Sequence, residues 1–165
     1  MPTTSKPTTP HKPTRQTVRI GGKRTVLTTR NGKVTAKAAL PEEWELQAEQ
    51  VKRLRGMPEY GKLFLFAGDQ NAAKRGPRAR VQALAAGMIA GEPDVRVYLP
   101  GGRVALIENK VGSGPLSPAQ KDRHVALAKL GHDVAVVRAT HEQDAADQAE
   151  ALVRGWICAK TENSA

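Results

Sequence analysis

The feature that most constrains the fold is a pair of alternating apolar runs, residues 94–99 and 103–110, separated by Pro-Gly-Gly at 100–102. Alternation of apolar and polar residues predicts strands with one buried face, and the turn residues between them predict a hairpin. A two-residue turn would mix Val95 with the charged face, whereas a three-residue loop pairs Val95 with Ile107 on a fully apolar face. We therefore predict an antiparallel hairpin with a three-residue loop.

Three charges of this hairpin need an explanation, because charged side chains are costly inside buried strands. In the chosen register Asp94 lies opposite Glu108, and Lys110 shares the face of Glu108. Two carboxylates about 5 Å apart repel each other unless a cation lies between them. An oxygen-preferring ion such as Mg²⁺ or Mn²⁺ would offset the repulsion between the carboxylates. A lysine beside the ion can offset charge on a phosphoryl oxygen. The pattern predicts either a phosphodiester hydrolase site or a charge network without chemistry.

Around the hairpin the sequence predicts helices packed on a mixed sheet. Helices are predicted at 41–56, at about 78–90, from the capping box at Ser117 to Gly131, and from a cap at Thr140 onward; buried strands are predicted at 63–67 and 133–138. The residues predicted to face the core are Trp44, Ala48, Val51 and Leu54 in the first helix, Val81, Leu84, Ala85 and Met88 in the second, and Ala145, Ala149, Leu152 and Trp156 in the last. The order α-β-α-ββ-α-β-α indicates an α/β fold.

Charge is unevenly distributed along the 165 residues. Residues 1–40 carry nine of the 26 Lys and Arg residues and none of the 16 Asp and Glu residues, which leaves a net charge of +1 in the rest. We predict a basic arm over 1–40, disordered or with a small β-hairpin at its Gly-Gly and Asn-Gly turns, a folded domain over 41–158 and a flexible tail over 159–165. A basic arm on a neutral body suits binding to a polyanion, with a solubilising tail as the alternative.

Other classes of protein are disfavoured by composition. Cys158 is the only cysteine and the four histidines are scattered, which excludes an internal disulfide and offers no zinc-ligand spacing. No apolar run is long enough for a membrane span, and no apolar segment follows the basic N-terminus, so we expect an intracellular protein without a signal peptide.

The hairpin and its flanks resemble a known nuclease family. Gly-Glu-Pro-Asp at 91–94, followed by Ile-Glu-Asn-Lys at 107–110, resembles the P-D…(D/E)-x-K signature of restriction-endonuclease-like nucleases. The continuation V-G-S-G-P-L-S-P-A-Q at 111–120, then Gly-His and a valine-rich strand, together with G-D-Q-N-A-A-K-R at 68–75, resembles the VRR-NUC branch, the virus-type replication-repair nucleases. The resemblance covers about residues 42–157 and implies a restriction-endonuclease-like core.

The resemblance also implies roles for individual residues. Asp94 and Glu108 would be metal ligands, with the backbone carbonyl of Asn109 as a possible third. Lys110 would hold or polarise the attacking water and the scissile phosphate, and Gln120 would line the site. The middle residue of the E-x-K motif is usually apolar, so Asn109 departs from the family pattern and needs a buried partner or an exposed edge.

A further acidic residue of the family lies on the first helix, in the pattern E-x-x-x-Q. Glu43 with Gln47 matches it, Glu45 and Glu49 are rivals, and an acidic residue in a first helical turn also needs no functional reason. Candidate DNA contacts are Arg75, Arg78 and Arg80 beside the site and Arg15, Arg19, Lys23 and Arg24 in the arm. His124 shares a helix face with Gln120 and is interpreted as a surface histidine.

The resemblance implies a Mg²⁺- or Mn²⁺-dependent endodeoxyribonuclease of a phage or prophage, acting on branched or duplex DNA in replication, repair or recombination. Small free-standing members of the family look like homodimers, and the protein would act in the cytoplasm of a bacterial host. The alternative is a non-catalytic nucleic-acid-binding protein that keeps the fold.

Overall fold

The computed structural model of the 165-residue chain describes residues 12–69 and 76–159. Contacts within the chain divide it into two units, residues 1–40 and residues 41–165. Residues 1–11 of the predicted basic arm lie outside the described residues, and so do residues 160–165 of the predicted C-terminal tail.

The N-terminal unit contains a three-stranded antiparallel sheet: β1 (Thr14–Ile20), β2 (Lys23–Arg30) and β3 (Lys33–Ala38), in that order. Its two turns are Gly21-Gly22 and Asn31-Gly32, and all four residues have positive φ. Two-residue hairpin turns that match the twist of the strands require this conformation, which Gly and Asn adopt most easily. The β segments predicted here are therefore present, with a third strand added to the hairpin.

The second unit has the element order that the sequence predicted. Its elements are α1 (Glu43–Arg55), β4 (Leu65–Gly68), α2 (Pro77–Ala85), β5 (Val95–Leu99), β6 (Arg103–Val111), α3 (Pro118–Lys129), β7 (Val134–Ala139) and α4 (Glu142–Cys158). The strands form one sheet in the order β4-β5-β6-β7, in which β6 and β7 are parallel and the other pairs antiparallel. A mixed sheet flanked by helices confirms the predicted α/β class.

The hairpin register is the predicted one. Pro100–Gly102 forms a three-residue turn between β5 and β6, with positive φ at Gly101 and Gly102, and Val95 pairs with Ile107. Both side chains are fully buried. The apolar pattern thus selected the register correctly, because a shift by one residue would have exposed this entire face.

The core lies between this face of the sheet and the helices α1 and α4. Leu46 and Leu54 of α1 are buried in it together with Val153 of α4. Ala145 and Ala149, predicted to face the core from α4, are fully buried, and their small side chains permit the close packing of α4 against α1. The N-cap of α4 is His141 and not Thr140 as predicted.

The predicted inward face of α1 is wrong in part. Trp44 is 59% exposed and Ala48 is also exposed, whereas the buried residues are Leu46, Gln50 and Leu54. A helix turns about 100° per residue, so Trp44 and Leu46 point in nearly opposite directions. The apolar pattern misled the prediction because a glutamine, Gln50, occupies a core position.

The predictions for β4 and α2 also need correction. The strand at 63–67 is an edge strand that begins at Leu65, and Leu65 is exposed. The second helix ends at Ala85, and its supposed inward residues Val81, 66% exposed, and Leu84 face solvent. Helical spacing alone cannot establish burial, which needs a packing partner.

Within the described residues no helix is long and apolar enough to cross a membrane.

Candidate active site

The hairpin and the preceding loop position Asp94. It directly precedes β5, so the register that pairs Val95 with Ile107 continues to Asp94 and Glu108. The backbone N–H of Asn109 donates to Asp94 Oδ2 at 2.7 Å. The Asp94 carbonyl accepts hydrogen bonds from the Asp69 N–H at 2.7 Å and from Gln47 Nε2 at 3.0 Å. Both the main chain and the carboxylate of Asp94 are therefore held in place.

Lys110 of β6 forms an ion pair with Glu43 of helix α1. Its Nζ lies 3.0 Å from Glu108 Oε1 and 2.8 Å from Glu43 Oε1, and the residue is 5% exposed. Burial disfavours the charged amine, but the hydrogen bonds with Glu43 and Glu108 outweigh burial and raise the pKa of Lys110. The site thus contains a buried, positively charged lysine between two carboxylates.

The capping box of α3 orients Gln120. Gln120 Oε1 accepts from the Ser117 N–H at 2.9 Å, and Ser117 Oγ accepts from the Gln120 N–H at 3.2 Å. The remaining amide group of Gln120, Nε2, donates to Glu108 Oε1. One side chain therefore caps the helix and contacts Glu108.

A glycine before Asp94, Gly91, permits the first turn of α3 to pack closely against the chain. Gly91 has a φ of +83°, and an added Cβ would collide with the Ala119 carbonyl oxygen. A larger residue is disfavoured both by this contact with a backbone atom and by the positive φ. The segment before Asp94 can therefore pack on the first turn of α3, beside Gln120.

Glu108 is completely buried. Its Oε2 has no hydrogen-bond partner among the described residues, and His124 Nε2 lies 3.7 Å from it. Burial raises the pKa of Glu108, opposed by Lys110. An unpartnered buried carboxylate oxygen is costly, so this atom is suited to an additional ligand.

His124 was wrongly predicted to be a surface residue. Its side chain is 14% exposed and faces Glu108 from the same side of α3 as Gln120. Burial lowers the pKa of His124, with a smaller contribution from Lys110. The signal in the sequence was the i, i+4 spacing from Gln120, which places the two side chains on one helix face.

Asn109 has the buried partner that the departure from the family pattern required. Gln50 Nε2 donates to Asn109 Oδ1 at 2.7 Å, and Asn109 Nδ2 donates to Gln50 Oε1 at 3.0 Å. Gln50 Nε2 also contacts the Ala145 carbonyl at 3.3 Å. This reciprocal amide pair satisfies both buried side chains and fixes β6 against α1 and α4 at the residue between Glu108 and Lys110.

The structure distinguishes the three glutamates of α1 by position. Glu43 reaches Lys110, whereas Glu45 accepts a hydrogen bond from the Glu42 N–H as part of the helix cap, and Glu49 pairs with Lys52.

Of the candidate DNA contacts, Arg78 and Arg80 lie on exposed α2, and Arg75 is outside the described residues. Arg15, Arg19, Lys23 and Arg24 belong to the N-terminal sheet.

A groove of about 850 Å³ opens beside the site. It runs along α1 and the edge strand β4, and its lining includes Glu43, Asp94, Gln47, Trp44 and Phe66. Glu108 and Lys110 are buried and do not line it. Glu43 and Asp94 are therefore the site residues that face this groove.

The donor set can be compared with the needs of a divalent ion. Over residues 12–69 and 76–159, no three His, Cys, Asp or Glu side chains are grouped so as to hold a metal. Mg²⁺, however, is commonly held by one or two carboxylates, with water or substrate oxygens completing its shell. Asp94 and the unpartnered Glu108 Oε2 fit such an open site.

The electrostatics of Asp94 lead to a first prediction. Burial, and then the nearby Glu108, raise the pKa of Asp94 from 3.8 to about 7. The folded protein therefore binds this proton more tightly than the unfolded chain does, so stability falls as the pH rises from about 4 through 7. In EDTA, we expect the free energy of unfolding of wild type to fall by about 3 kcal/mol relative to that of Asp94→Asn over this range. Urea unfolding at several pH values measures the difference.

The matched control is Asp122→Asn, which removes an exposed aspartate from α3. It should follow the wild-type profile. A constant difference in unfolding free energy between wild type and Asp94→Asn from pH 4 to pH 8 would contradict the raised pKa.

Comparisons with known proteins found solved structures that are similar to this chain. A solved structure described as a "VRR_NUC domain protein" is 21% identical with a TM-score of 0.49, over 73% of this chain and 91% of its own. A second, described as a "VRR_NUC domain", is 20% identical with a TM-score of 0.43, over 69% of this chain and 96% of its own. No protein-family model and no curated protein matches the sequence.

Proposed function

We propose that this protein is a metal-dependent DNA endonuclease that hydrolyses phosphodiester bonds. The observation that carries the proposal is Glu108 Oε2, a fully buried carboxylate oxygen without a hydrogen-bond partner among the described residues, next to Asp94 and Lys110. A charge network that served only stability would be expected to satisfy this oxygen. Two carboxylates and a buried lysine suit a reaction in which negative charge develops on phosphate.

Asp94 and Glu108 would hold Mg²⁺ or Mn²⁺, with the Asn109 carbonyl as a further oxygen. The bound cation would supply Lewis acidity toward a phosphate oxygen and a more acidic water. Asp94 must be ionised to act as a ligand, and its raised pKa means that this charge is disfavoured without a cation. Burial and the repulsion between Asp94 and Glu108 both disfavour the negative charge of Asp94, and a bound divalent ion would offset both.

Lys110 would donate its remaining N–H to the attacking water or to the scissile phosphate. Its bonds to Glu43 and Glu108 keep the amine protonated and directed into the site. Gln120 would orient Glu108 through Nε2, and Glu43 would position Lys110 or join the metal ligands from the groove side.

DNA as the substrate is supported by the uneven charge, since nine Lys and Arg residues without an acidic residue lie in 1–40. We extend the proposal to branched DNA, to a homodimer and to a phage or prophage replication, repair or recombination role, all of which follow from the family resemblance. Exposed apolar side chains on α2, Val81 and Leu84, are suited to contact with a second subunit. The competing function is a DNA-binding accessory protein that does not cut.

Metal removal tests the proposal directly. Supercoiled plasmid should be nicked and linearised with Mg²⁺ or Mn²⁺, and excess EDTA should abolish the reaction, because the carboxylate pair alone provides no Lewis acid. A four-way junction should be cut faster than a linear duplex of equal length. Gel electrophoresis of both substrates measures these rates.

Two outcomes would oppose the proposal. Undiminished cleavage in EDTA would exclude the metal-dependent mechanism. Tight DNA binding without cleavage in either metal, over the range pH 6–9, would support the accessory protein.

A further inference from the structure

All six described cationic side chains of the N-terminal sheet lie on one face. In an antiparallel sheet, residues that pair directly across strands point to the same side, as do residues two apart on one strand. The register pairs Arg15 with Thr28 and Arg19 with Arg24, and it pairs Arg30 with Lys33 and Val26 with Lys37. The residues that share this side, here called the basic face, are Arg15, Thr17, Arg19, Arg24, Val26, Thr28, Arg30, Lys33, Thr35 and Lys37.

The other face is apolar or uncharged in the described side chains. It contains Val18, Ile20, Leu27, Val34, Ala36 and Ala38, together with Thr14, Gln16, Thr25 and Thr29. Lys23, proposed from the sequence as a contact with the other arm cations, is the first residue of β2. The sheet is thus two-sided, a property that the total charge of the arm does not reveal.

No acidic side chain of the N-terminal unit can neutralise the basic face, since residues 1–40 contain no Asp or Glu. One pair of like charges, Arg30 with Lys33, lies directly opposite each other across strands. Such pairs are destabilising in a sheet. A bound polyanion would relieve this repulsion, so the arrangement favours a binding surface over a purely structural sheet.

The dimensions of the basic face suit a duplex. The Arg19–Arg24 row and the Arg30–Lys33 row are six residues apart along β2, or about 20 Å, and the outer strands are about 10 Å apart. The middle of the face carries short uncharged side chains, Thr17, Val26, Thr28 and Thr35. A surface about 10 Å wide with cations at its rim matches a major groove about 12 Å wide, bordered by phosphates.

A single strand is a poorer fit. Surfaces that bind single-stranded nucleic acid use aromatic side chains on which bases stack, and residues 1–40 contain no Phe, Trp or Tyr. The major groove of double-stranded RNA is too narrow and deep to be entered in this way.

We infer that the three-stranded N-terminal sheet is a duplex-DNA-binding module that docks through its basic face, with the six cations on phosphates at both sides of the major groove. The inference rests on the proposed function only for the choice of DNA as the polyanion. It adds a second nucleic-acid site to the chain, and it assigns Arg30, Lys33 and Lys37 to this site beside Arg15, Arg19 and Arg24.

Neighbouring residues on β2 provide a sharp test in the full chain. Thr28 lies on the basic face and Thr29 on the other, so Thr28→Glu and Thr29→Glu make the same change of charge on opposite sides. Binding to a fluorescent 20-base-pair duplex is measured in EDTA, where cleavage plays no part. Thr28→Glu should weaken binding at least about 10-fold at 0.1 M salt, whereas Thr29→Glu should stay within about twofold, because charges beyond the Debye length of about 10 Å are screened.

A charge-matched set of variants gives a second measurement. Arg19→Gln/Arg30→Gln/Lys37→Gln lowers the net charge from +10 to +7. Lys52→Gln/Lys62→Gln/Lys129→Gln does the same with exposed lysines outside the sheet. The arm variant should reduce the slope of log affinity against log salt by about 2.7, which is about 0.9 for each phosphate that is no longer neutralised. The control should keep most of the wild-type slope.

Three results would overturn the inference. The first is an equal loss of duplex affinity in Thr28→Glu and Thr29→Glu, and the second is an equal salt slope for the two triple variants. The third is a single strand or an RNA duplex that binds as tightly as the DNA duplex and is weakened equally by Thr28→Glu. Failure of the nuclease proposal would look different from failure of this inference. It would appear as absence of cleavage in Mg²⁺, while the binding differences between the variants in EDTA remained.

Discussion

Replacing Glu108 with glutamine is expected to lower the rate of plasmid cleavage by at least about 10³-fold while leaving duplex binding within about twofold. Glutamine keeps the size of the buried side chain but removes the negative charge that would hold the cation. Lys110 retains Glu43 as a partner at 2.8 Å, so the site keeps one of its two ion pairs. Cleavage is measured under single-turnover conditions with saturating protein, so that a change in DNA affinity does not enter the rate.

The matched control is Glu49→Gln, which makes the same chemical change at an exposed pair with Lys52. Its cleavage rate should equal that of wild type. Calorimetric titration with Mn²⁺ adds a readout that is independent of catalysis, and Glu108→Gln should lose the binding that wild type and Glu49→Gln show. Wild-type cleavage by Glu108→Gln, or unchanged Mn²⁺ binding, would contradict the metal-ligand role.

Lys110→Met is expected to cut at least about 10²-fold more slowly than wild type with Mn²⁺ binding retained. Methionine fills much of the same volume but cannot donate a hydrogen bond to phosphate or water. The variant also leaves Glu43 and Glu108 without their shared cation, so the free energy of unfolding should fall by roughly 3 kcal/mol. Single-turnover cleavage, Mn²⁺ titration and urea unfolding are measured together at a temperature where the variant is folded.

Lys110→Arg separates the structural from the chemical role of the lysine. Arginine restores a positive charge between the two glutamates, so stability should partly recover, but its planar guanidinium has a different geometry and the rate should remain at least about 10-fold below wild type. Full recovery of the rate with arginine would indicate that only charge is needed. The exposed control Lys52→Met should have no effect on the rate.

Interactions close in sequence were predicted well. Alternation around Pro100–Gly102 gave the strand register and placed Asp94 beside Glu108, since a shifted register would have exposed the apolar face. The capping box at Ser117 and Gln120 gave the start of α3, because its hydrogen bonds lie within four residues. The resemblance added Glu43 and Gln120, which the structure places in contact with Lys110 and Glu108.

Side-chain burial on the helices was predicted less well. Trp44 and Val81 were predicted to be core residues and are exposed, because apolar spacing defines a helix face but not the presence of a partner. Gln50 was not recognised as a core residue, since its partner Asn109 is 59 residues away in the sequence.

The sequence by itself determined the order of the elements, the hairpin register, the cap of α3 and the charge imbalance of the N-terminal arm, because each follows from neighbouring residues or from composition. Only the tertiary structure decided that His124 faces Glu108, that Gln50 and Asn109 pair in the core, and that Glu43, rather than Glu45 or Glu49, reaches Lys110. These contacts depend on how each helix is rotated against the sheet, and that rotation is set by packing over the whole domain. The basic face depended in the same way on strand pairing, which gathers six separate cations on one side of a sheet.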